Sequence, residues 1–444
     1  MLAVYNSLPR RVQDLACTLE GARVEWQRYR GPYAELEARV VERGEWSHDR
    51  MQAFQDERLR AFVRHAAERV PFYREHFRRH GVDPQGIRRA DDLQRLPPIT
   101  KADVQARPRD FMAEGWSQRD LVAVHTSGTT GAGLKFWSSR DAVQEQWAVW
   151  WRYRRWHGID RSRWCDYFGG RPVVPLAANT APFFRTNVAG RQRMHSGYHL
   201  SPAHEAAYVD ALETSGATWI HGYPSMITLV ADAVLRLRGA GGLGPRDVTI
   251  GAEKLHDHQR QLIERAFLRP VRQHYGLAEA VANISECERG ALHVDEDFAV
   301  LELGDEGAFG TNLSNMAFPL LRYAMTDGFR WRDERCACGR PGRVIASIDG
   351  RDEDYVVLPS GARVGRLDHV FKDLDFVAEA QLVQHGDGRL TVRWSGAGDA
   401  ASGAAAIHRA AVAYLGADLR IDVARVPAVP RTAGGKLRFV VREP

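Results

Sequence analysis

Thr126-Ser127-Gly128-Thr129-Thr130-Gly131-Ala132-Gly133-Leu134-Lys135 is the stretch on which the reading of this chain turns. Its glycines let backbone N–H groups approach and wrap an anion, its hydroxyls donate further hydrogen bonds, and its lysine adds a positive charge. Phosphate groups favour that mixture. The stretch is not a Walker loop, which ends in Gly-Lys-Ser/Thr, because Leu134 separates Gly133 from Lys135 and Phe136 follows. On composition alone, a phosphate loop and a plain polar hairpin are equally open.

The surroundings narrow the fold. A β-prone run, LVAVH (121–125), leads into the loop, and an amphipathic helix follows it, with Val143, Trp147, Trp150 and Trp151 at i, i+4, i+7 and i+8. Upstream, the first hundred residues read as helices. Leu59, Phe62, Val63, Ala66, Ala67 and Val70 form one stripe of a 3.6-residue period, and Pro71 closes that helix. Downstream, the short runs RPVVPL, ATWIHGY and RDVTIGAE alternate with helical stretches such as AAYVDALETSG and DHQRQLIERAF. Such alternation signals an α/β fold with a largely parallel sheet. Near Gly350 the charged, turn-rich GRDEDYVVLPSG separates a large domain, 1–350 with a helical lead-in over 1–100, from a small one, 351–444. Ser395 to Ala406 reads as a surface loop running into a helix, and His195 and His199 share a helical spacing that reads as surface coincidence.

Composition excludes several classes. The 444 residues carry 61 basic and 56 acidic side chains, net +5, with 44% hydrophobic and 26% charged residues, which is ordinary for a folded globular chain. Arginine is interleaved with acids, as in DERLRAFVRHAAERV, so no nucleic-acid partner is expected. No apolar run reaches the roughly 20 residues of a membrane helix, so no membrane partner is expected either. Five cysteines, an odd count, and a start without a secretory apolar core (MLAVYNSLPRRVQDLACTLE) point to a reducing, cytoplasmic compartment. Cys336-Ala337-Cys338-Gly339 sets two thiols close enough to share one ion, and Cys287 with His293 completes a Cys₃His set of the structural zinc type. Cys17 and Cys165 read as ordinary thiols.

The string Thr126–Lys135 resembles the phosphate loop of the adenylate-forming superfamily, the acyl-CoA synthetases and their relatives, and further matches follow in order. Tyr275-Gly276-Leu277-Ala278-Glu279 resembles the Tyr-Gly-x-x-Glu motif, with Ala278 where Thr is usual. RYAMTD (322–327) resembles the segment whose aspartate grips ribose hydroxyls. Gly350-Arg351-Asp352-Glu353 resembles the hinge, with Glu353 where aspartate is usual, and PRTAGGK (430–436) resembles the motif carrying the catalytic lysine. Arg58 to Val104 is similar to the N-terminal helices of phenylacetate–CoA ligase-like proteins, including the branch found with capsular-polysaccharide and natural-product genes. The residues before it have no such match.

The resemblance implies a large adenylation domain of mostly parallel sheets with flanking helices, and a small mobile α+β C-terminal domain. It implies ATP-dependent adenylation of a carboxylic acid, aryl by preference, with pyrophosphate release and transfer of the acyl group to CoA; an amine is the alternative acceptor. Thr126, Ser127, Gly128, Thr129, Thr130, Gly131 and Lys135 would hold the phosphates, and Glu279 would hold Mg²⁺. Gly251, Ala252 and Glu253, with Tyr275 and Gly276, would line the adenine and substrate floor. Asp327 and Arg351 would hold the ribose, and Lys436 would touch the reacting carboxylate and phosphate. Cys287, His293, Cys336 and Cys338 resemble a zinc arrangement of some bacterial members, read here as a clip near the hinge. The helix after the phosphate loop forms one wall of the acid pocket in resembling enzymes, so Trp137, Trp147 and Tyr223 are the candidates to stack on an aromatic or planar acid. A homodimer is compatible with the sequence without being specified by it. A reading of another class, a zinc-containing binding protein whose catalysis has lapsed, draws on Ala278 and the net positive charge; retention of Lys135, Glu279, Asp327 and Lys436 argues against it.

Overall fold

The computed structural model describes residues 2–125, 134–349, 355–365, 367–371, 373–374, 376–430 and 438–443. The phosphate-loop candidates at 126–133, the hinge residues Arg351 and Glu353, and Lys436 lie outside the described residues.

Five strands form the centre of a ten-stranded sheet. In spatial order they are Gln192–Ser196, Cys165–Gly169, Trp219–Gly222, Asp247–Ile250 and Val271–Gly276, all parallel. Antiparallel strands extend it, Phe184–Asn187 at one edge and Asn283–Glu286, Leu292–Val294, Val344–Asp349 and Gly328–Trp331 towards the other. Strand side chains alternate between faces. Phe168, Ile220, Val248 and Ile250 bury one face in a core shared with the helices Glu205–Glu213, Pro224–Arg238 and Asp257–Phe267. The opposite face carries Tyr167, His221 and His274 and is covered by the helix Arg140–Trp156, whose Trp150 and Tyr153 rings each lie 5.5 Å from His274.

The lead-in is helical as expected. Leu59, Phe62, Val63 and Ala66 are buried on the helix His48–Arg69. Pro71 both ends that helix and opens the next, Pro71–His80, because a missing N–H costs nothing at the first helical position. The helix Arg10–Tyr29 lies along the outer strand of the sheet. Asp14 accepts from the Thr186 N–H at 2.8 Å, and Thr18 accepts from the Val188 N–H at 3.2 Å while donating to the Thr186 carbonyl at 3.3 Å. Unpaired backbone groups of an edge strand are thereby covered.

The chain after residue 355 builds a four-stranded sheet in the order Ile421–Arg425, Leu390–Gly396, Val377–Gln384, Val440–Arg442, backed by the helix Ala400–Leu415. Asp399 caps that helix, so Ser395–Ala406 is strand end, turn and helix start. His195 and His199 are buried, contrary to their surface reading: His195 sits in a strand and bonds Asp166 at 2.8 Å, and His199 follows in a short turn and bonds Ser196 at 2.8 Å. A spacing of four defines a face only inside a helix. No helix among the described residues is long and apolar enough to cross a membrane.

Candidate active site

The parallel strands deliver the motif residues to one edge. Gly222-Tyr223, Gly251-Ala252-Glu253 and Tyr275–Glu279 all stand at or just beyond the C-terminal ends of their strands. From Cys165–Gly169 the sheet grows in both directions, to Gln192–Ser196 on one side and Trp219–Gly222 on the other. Open α/β sheets bind ligands in the crevice at such a reversal. Gly222 is required there: a Cβ on it would stand 2.0 Å from the Phe168 carbonyl oxygen.

The phosphate-loop candidate bridges a hairpin. Val122–His125 pairs antiparallel with Lys135–Ser138, and His125 lies opposite Lys135, so the two ends of the intervening loop are pinned together. Asn315 holds the second strand by accepting from the Ser139 N–H at 3.1 Å and donating to the Trp137 carbonyl at 2.9 Å. Sequence reasoning missed Asn315, and nothing in its local pattern marks it.

Glu279 and Asp327 come together with two tyrosines. The Tyr275 hydroxyl donates to Asp327 at 2.7 Å, and the Tyr323 hydroxyl donates to Glu279 at 3.4 Å. Glu279 is buried, and that burial pushes its carboxyl above the ordinary range; Lys101 and the Tyr323 hydroxyl oppose the shift, while Asp327 adds to it. The second tyrosine arrives by a route the motifs do not reveal. Ile99 bridges to the strand Tyr323–Met325, with the Ala324 N–H donating to the Ile99 carbonyl at 2.8 Å. Lys101 then opens a helix capped by Thr100 and Asp103. That Thr-x-x-Asp box was a legible helix start, although its nearness to Glu279 was not.

Backbone strain gathers on the same segments. Among the described residues five non-glycine positions have positive φ; Ala252 (69°) and Arg322 (51°) lie in the motif segments, and Ala280 (56°) immediately follows one. Such residues cluster where function over-determines the backbone.

The remaining candidates divide. Glu253 accepts from the Ser225 N–H at 3.0 Å and so faces the first turn of the helix Pro224–Arg238. Trp147 lies half-buried, 4.7 Å from Trp150, with the Arg28 guanidinium 3.7 Å above its ring. Tyr223 stands beside Gly170, where a Cβ would meet its ring at 3.4 Å. Trp137 instead packs against Phe318 at 6.1 Å in the lead-in core.

Cys287, His293, Cys336 and Cys338 converge, each offering a ligand atom within 4.8 Å of the others. Cys287 and Cys336 sulfurs are 3.8 Å apart, and Cys338 sulfur is 3.3 Å from His293 Nε2. Tetrahedral zinc, with Zn–S near 2.3 Å, spaces two sulfurs by about 3.8 Å. His293 Nδ1 lies 3.1 Å from the Pro341 carbonyl, which can only accept, so Nδ1 carries the proton and Nε2 presents its lone pair to the cluster.

No family model matches the chain. Protein CapK of Staphylococcus aureus is 24% identical over 99% of this chain and 98% of its own length. The phenylacetate–coenzyme A ligase of Aromatoleum evansii is 38% identical over 345 residues, 70% of this chain and 73% of the relative, and that of Thermus thermophilus is 28% identical over 70% and 72%. A 2-hydroxyisobutyryl-CoA ligase solved with its acyl-adenylate and CoA superposes with TM-score 0.57 at 18% identity, covering 90% of this chain and 91% of that one, which establishes likeness of fold. With these relatives beside it, the chain belongs to the phenylacetate–coenzyme A ligase branch of the adenylate-forming ligases.

Proposed function

We propose that this protein adenylates a carboxylic acid with ATP, releasing pyrophosphate, and then passes the acyl group to CoA. The observation that carries the proposal is the grouping of Glu279, Asp327, Tyr275 and Tyr323 at the C-terminal edge of the parallel strands. Attack of a carboxylate on the α-phosphorus brings two anions together, so catalysis is positioning and charge neutralisation. Asp327, oriented by the Tyr275 hydroxyl, would accept from ribose hydroxyls. Glu279 would hold Mg²⁺, which on binding neutralises phosphate charge; a carboxyl whose pKa is raised by burial favours a cation beside it. Lys135 and the hydroxyls of 126–130 would take the phosphates, Arg351 the ribose, and Lys436 the reacting carboxylate and α-phosphate. Gly251, Ala252 and Gly276 would floor the adenine and acid sites, and Tyr223 with Trp147 would face a planar, aryl acid.

Zinc would be held by Cys287, His293, Cys336 and Cys338. Four protein ligands leave no open position, so the ion would clip the turn after Asn283–Glu286 to the turn before Val344–Asp349 rather than take part in the reaction.

The test is acid-dependent pyrophosphate release from ATP, with and without CoA. Lys436→Ala should lower adenylation by about 10²–10³, the effect of losing one transition-state donor. An unchanged rate in that variant would remove the assignment. Sustained turnover that depends on CoA would identify the acceptor, whereas dependence on an added amine would replace it.

A further inference from the structure

One arginine deep in the large domain has no carboxylate to answer it among the described residues. Arg154, on the helix Arg140–Trp156, is 4% exposed; its Nη2 lies 3.4 Å from His221 Nε2, and its Nε and Nη1 have no partner. His221 is neutral, since its Nδ1 donates to the Thr249 carbonyl at 3.0 Å and burial holds its pKa well below the ordinary value. The Arg154 guanidinium also lies over the faces of Trp151 and Trp219, at 4.8 and 5.6 Å. Its neighbour Arg152, two residues away, shows the usual arrangement: equally buried, it pairs with Asp295 and Asp297 at 2.8 Å. A buried unpaired charge costs several kcal/mol and persists where something outside the chain answers it.

Arg154 is placed where an acid would extend. The helix runs antiparallel to the strand it covers: Gln146 Nε2 donates to the Leu277 carbonyl at 3.3 Å, Trp150 stands beside Gly276 and His274, and Arg154 reaches His221. Residues 146, 150 and 154 form one row, so Arg154 lies about 12 Å along the helix from the contact of Gln146 with Leu277 and about 6 Å from Trp150 beside Gly276, at 1.5 Å per residue. Along that row Gln146, Trp150, Tyr167, His221 and His274 keep solvent-accessible surface despite their depth, which marks a cleft between helix and sheet. A second guanidinium flanks it: Arg28 stacks on Trp147, and Glu25, a carboxylate that bears on Arg28, is engaged by Arg161 at 3.3 Å.

We infer that the acid activated by this protein carries a second anionic group, a carboxylate, which Arg154 receives at the foot of this cleft with Arg28 at its wall. The inference rests on the adenylation reading and deepens it, by naming a dicarboxylic acid as the substrate class. Arg28 and Arg154 are both held below the ordinary arginine pKa by burial, and Arg28, Arg154 and Arg171 all bear on the Tyr167 hydroxyl, so the cleft carries concentrated positive charge.

The test compares matched acids, 4-methylbenzoate with terephthalate and butyrate with glutarate, in pyrophosphate release by the full chain. At least one dicarboxylate should exceed its monoacid by tenfold or more in kcat/KM. Arg154→Met should collapse that preference, and Arg154→Lys should restore part of it. Equal use of both members of each pair, or a preference that survives Arg154→Met, would overturn the inference while leaving adenylation standing. If no acid releases pyrophosphate, the adenylation reading fails instead, and calorimetric binding of the same dicarboxylates decides the subsite separately: binding weakened tenfold or more by Arg154→Met supports it, and binding that is absent or unaltered overturns it.

Discussion

Arg152→Met and Arg154→Met place the same change on one helix, two residues apart, and should move stability in different directions. Arg152 donates to Asp297 and Asp295 at 2.8 Å and to the Val40 carbonyl at 3.1 Å, and Asp297 also pairs with Arg43 at 2.8 Å. Burial alone would raise the Asp297 carboxyl; Arg152 and Arg43 overcome it and hold the group at about 2, against 3.8 when free. A depressed carboxyl contributes stability above its free pKa, here about 2–3 kcal/mol at neutral pH, and loses it as pH falls from about 4 to 2. Removing Arg152 forfeits much of that, leaves Asp297 with Arg43 and leaves the buried Asp295 with the neutral donors Asn283 and Ser285, so about 3–5 kcal/mol should be lost. Arg154→Met removes a charge that no described carboxylate answers and forfeits one long hydrogen bond to the neutral His221, worth about 0.5–1.5 kcal/mol, with contacts to Trp151 and Trp219, each worth about 0.5–2 kcal/mol. The ligand-free variant should therefore match or exceed the wild type. Urea unfolding at pH 7, followed by tryptophan fluorescence, measures both. Asp297→Asn should recover part of the Arg152→Met loss. Equal destabilisation by the two arginine variants would show that Arg154 is structurally neutralised and would refute the reasoning.

Metal analysis of protein purified without chelator should find one zinc per chain, retained in Cys17→Ser and substoichiometric in Cys336→Ser; metal-free protein of unaltered thermal stability would count against the clip. Burial holds His199 at about 4 and His274 at about 3, against 6.5 when free. The unfolded chain then binds more protons below pH 6.5, so stability should be flat above that value and fall towards pH 4 by up to about 1.4 kcal/mol per pH unit for each histidine; urea midpoints constant from pH 8 to 4.5 would contradict this. Replacing Asp14 by Leu and Thr18 by Val together leaves the Thr186 and Val188 N–H groups unpaired, at about 1–3 kcal/mol each, and bares a sheet edge. Lower stability with concentration-dependent light scattering is expected, and an unchanged monomeric double variant would show that packing alone protects the edge.

What could be read from sequence divides along physical lines. The stripe from Leu59 to Val70 and the tryptophans at 147, 150 and 151 were legible because a helix face is a local periodicity. The parallel centre was legible from alternating strand and helix runs, whereas the antiparallel extension was not: Asn283–Glu286 and Leu292–Val294 are too short to show a period, and Leu292–Val294 meets Val344–Asp349 across some fifty residues. Cys287, His293, Cys336 and Cys338 were found because few side chains bind zinc, and Cys336 and Cys338 need only a turn between them, although their meeting with Cys287 and His293 spans more than forty residues. Asn315, Tyr323 and Lys101 escaped notice, because a hydrogen bond or charge contact between segments distant in the chain leaves no pattern in either of them. Trp137, an aromatic residue beside a motif read as pocket, lies half-buried against Phe318 of the lead-in core, a contact that no local pattern announces.

The strained alanines explain why the motif segments hold together across such distances. A left-handed conformation costs a non-glycine residue about 1–2 kcal/mol, and glycine at either position would relieve it. Ala252 turns the chain immediately beyond Asp247–Ile250, and Ala280 does so immediately beyond Glu279. Arg322 turns the chain just before Tyr323, with its guanidinium held by Glu302 at 3.2 Å and by the Leu96 carbonyl at 2.8 Å. That anchoring fixes the strand Tyr323–Met325 against Ile99 and so delivers the Tyr323 hydroxyl to Glu279 and Asp327 to Tyr275. The lead-in, which carries no motif of its own chemistry, therefore sets the distance between the carboxylate assigned to the metal and the one assigned to the ribose. Its Arg28 also reaches the wall of the acid cleft. Residues without a sequence signature thus govern both the spacing of the reacting groups and the charge offered to the substrate, which is where members of one ligase family have room to differ.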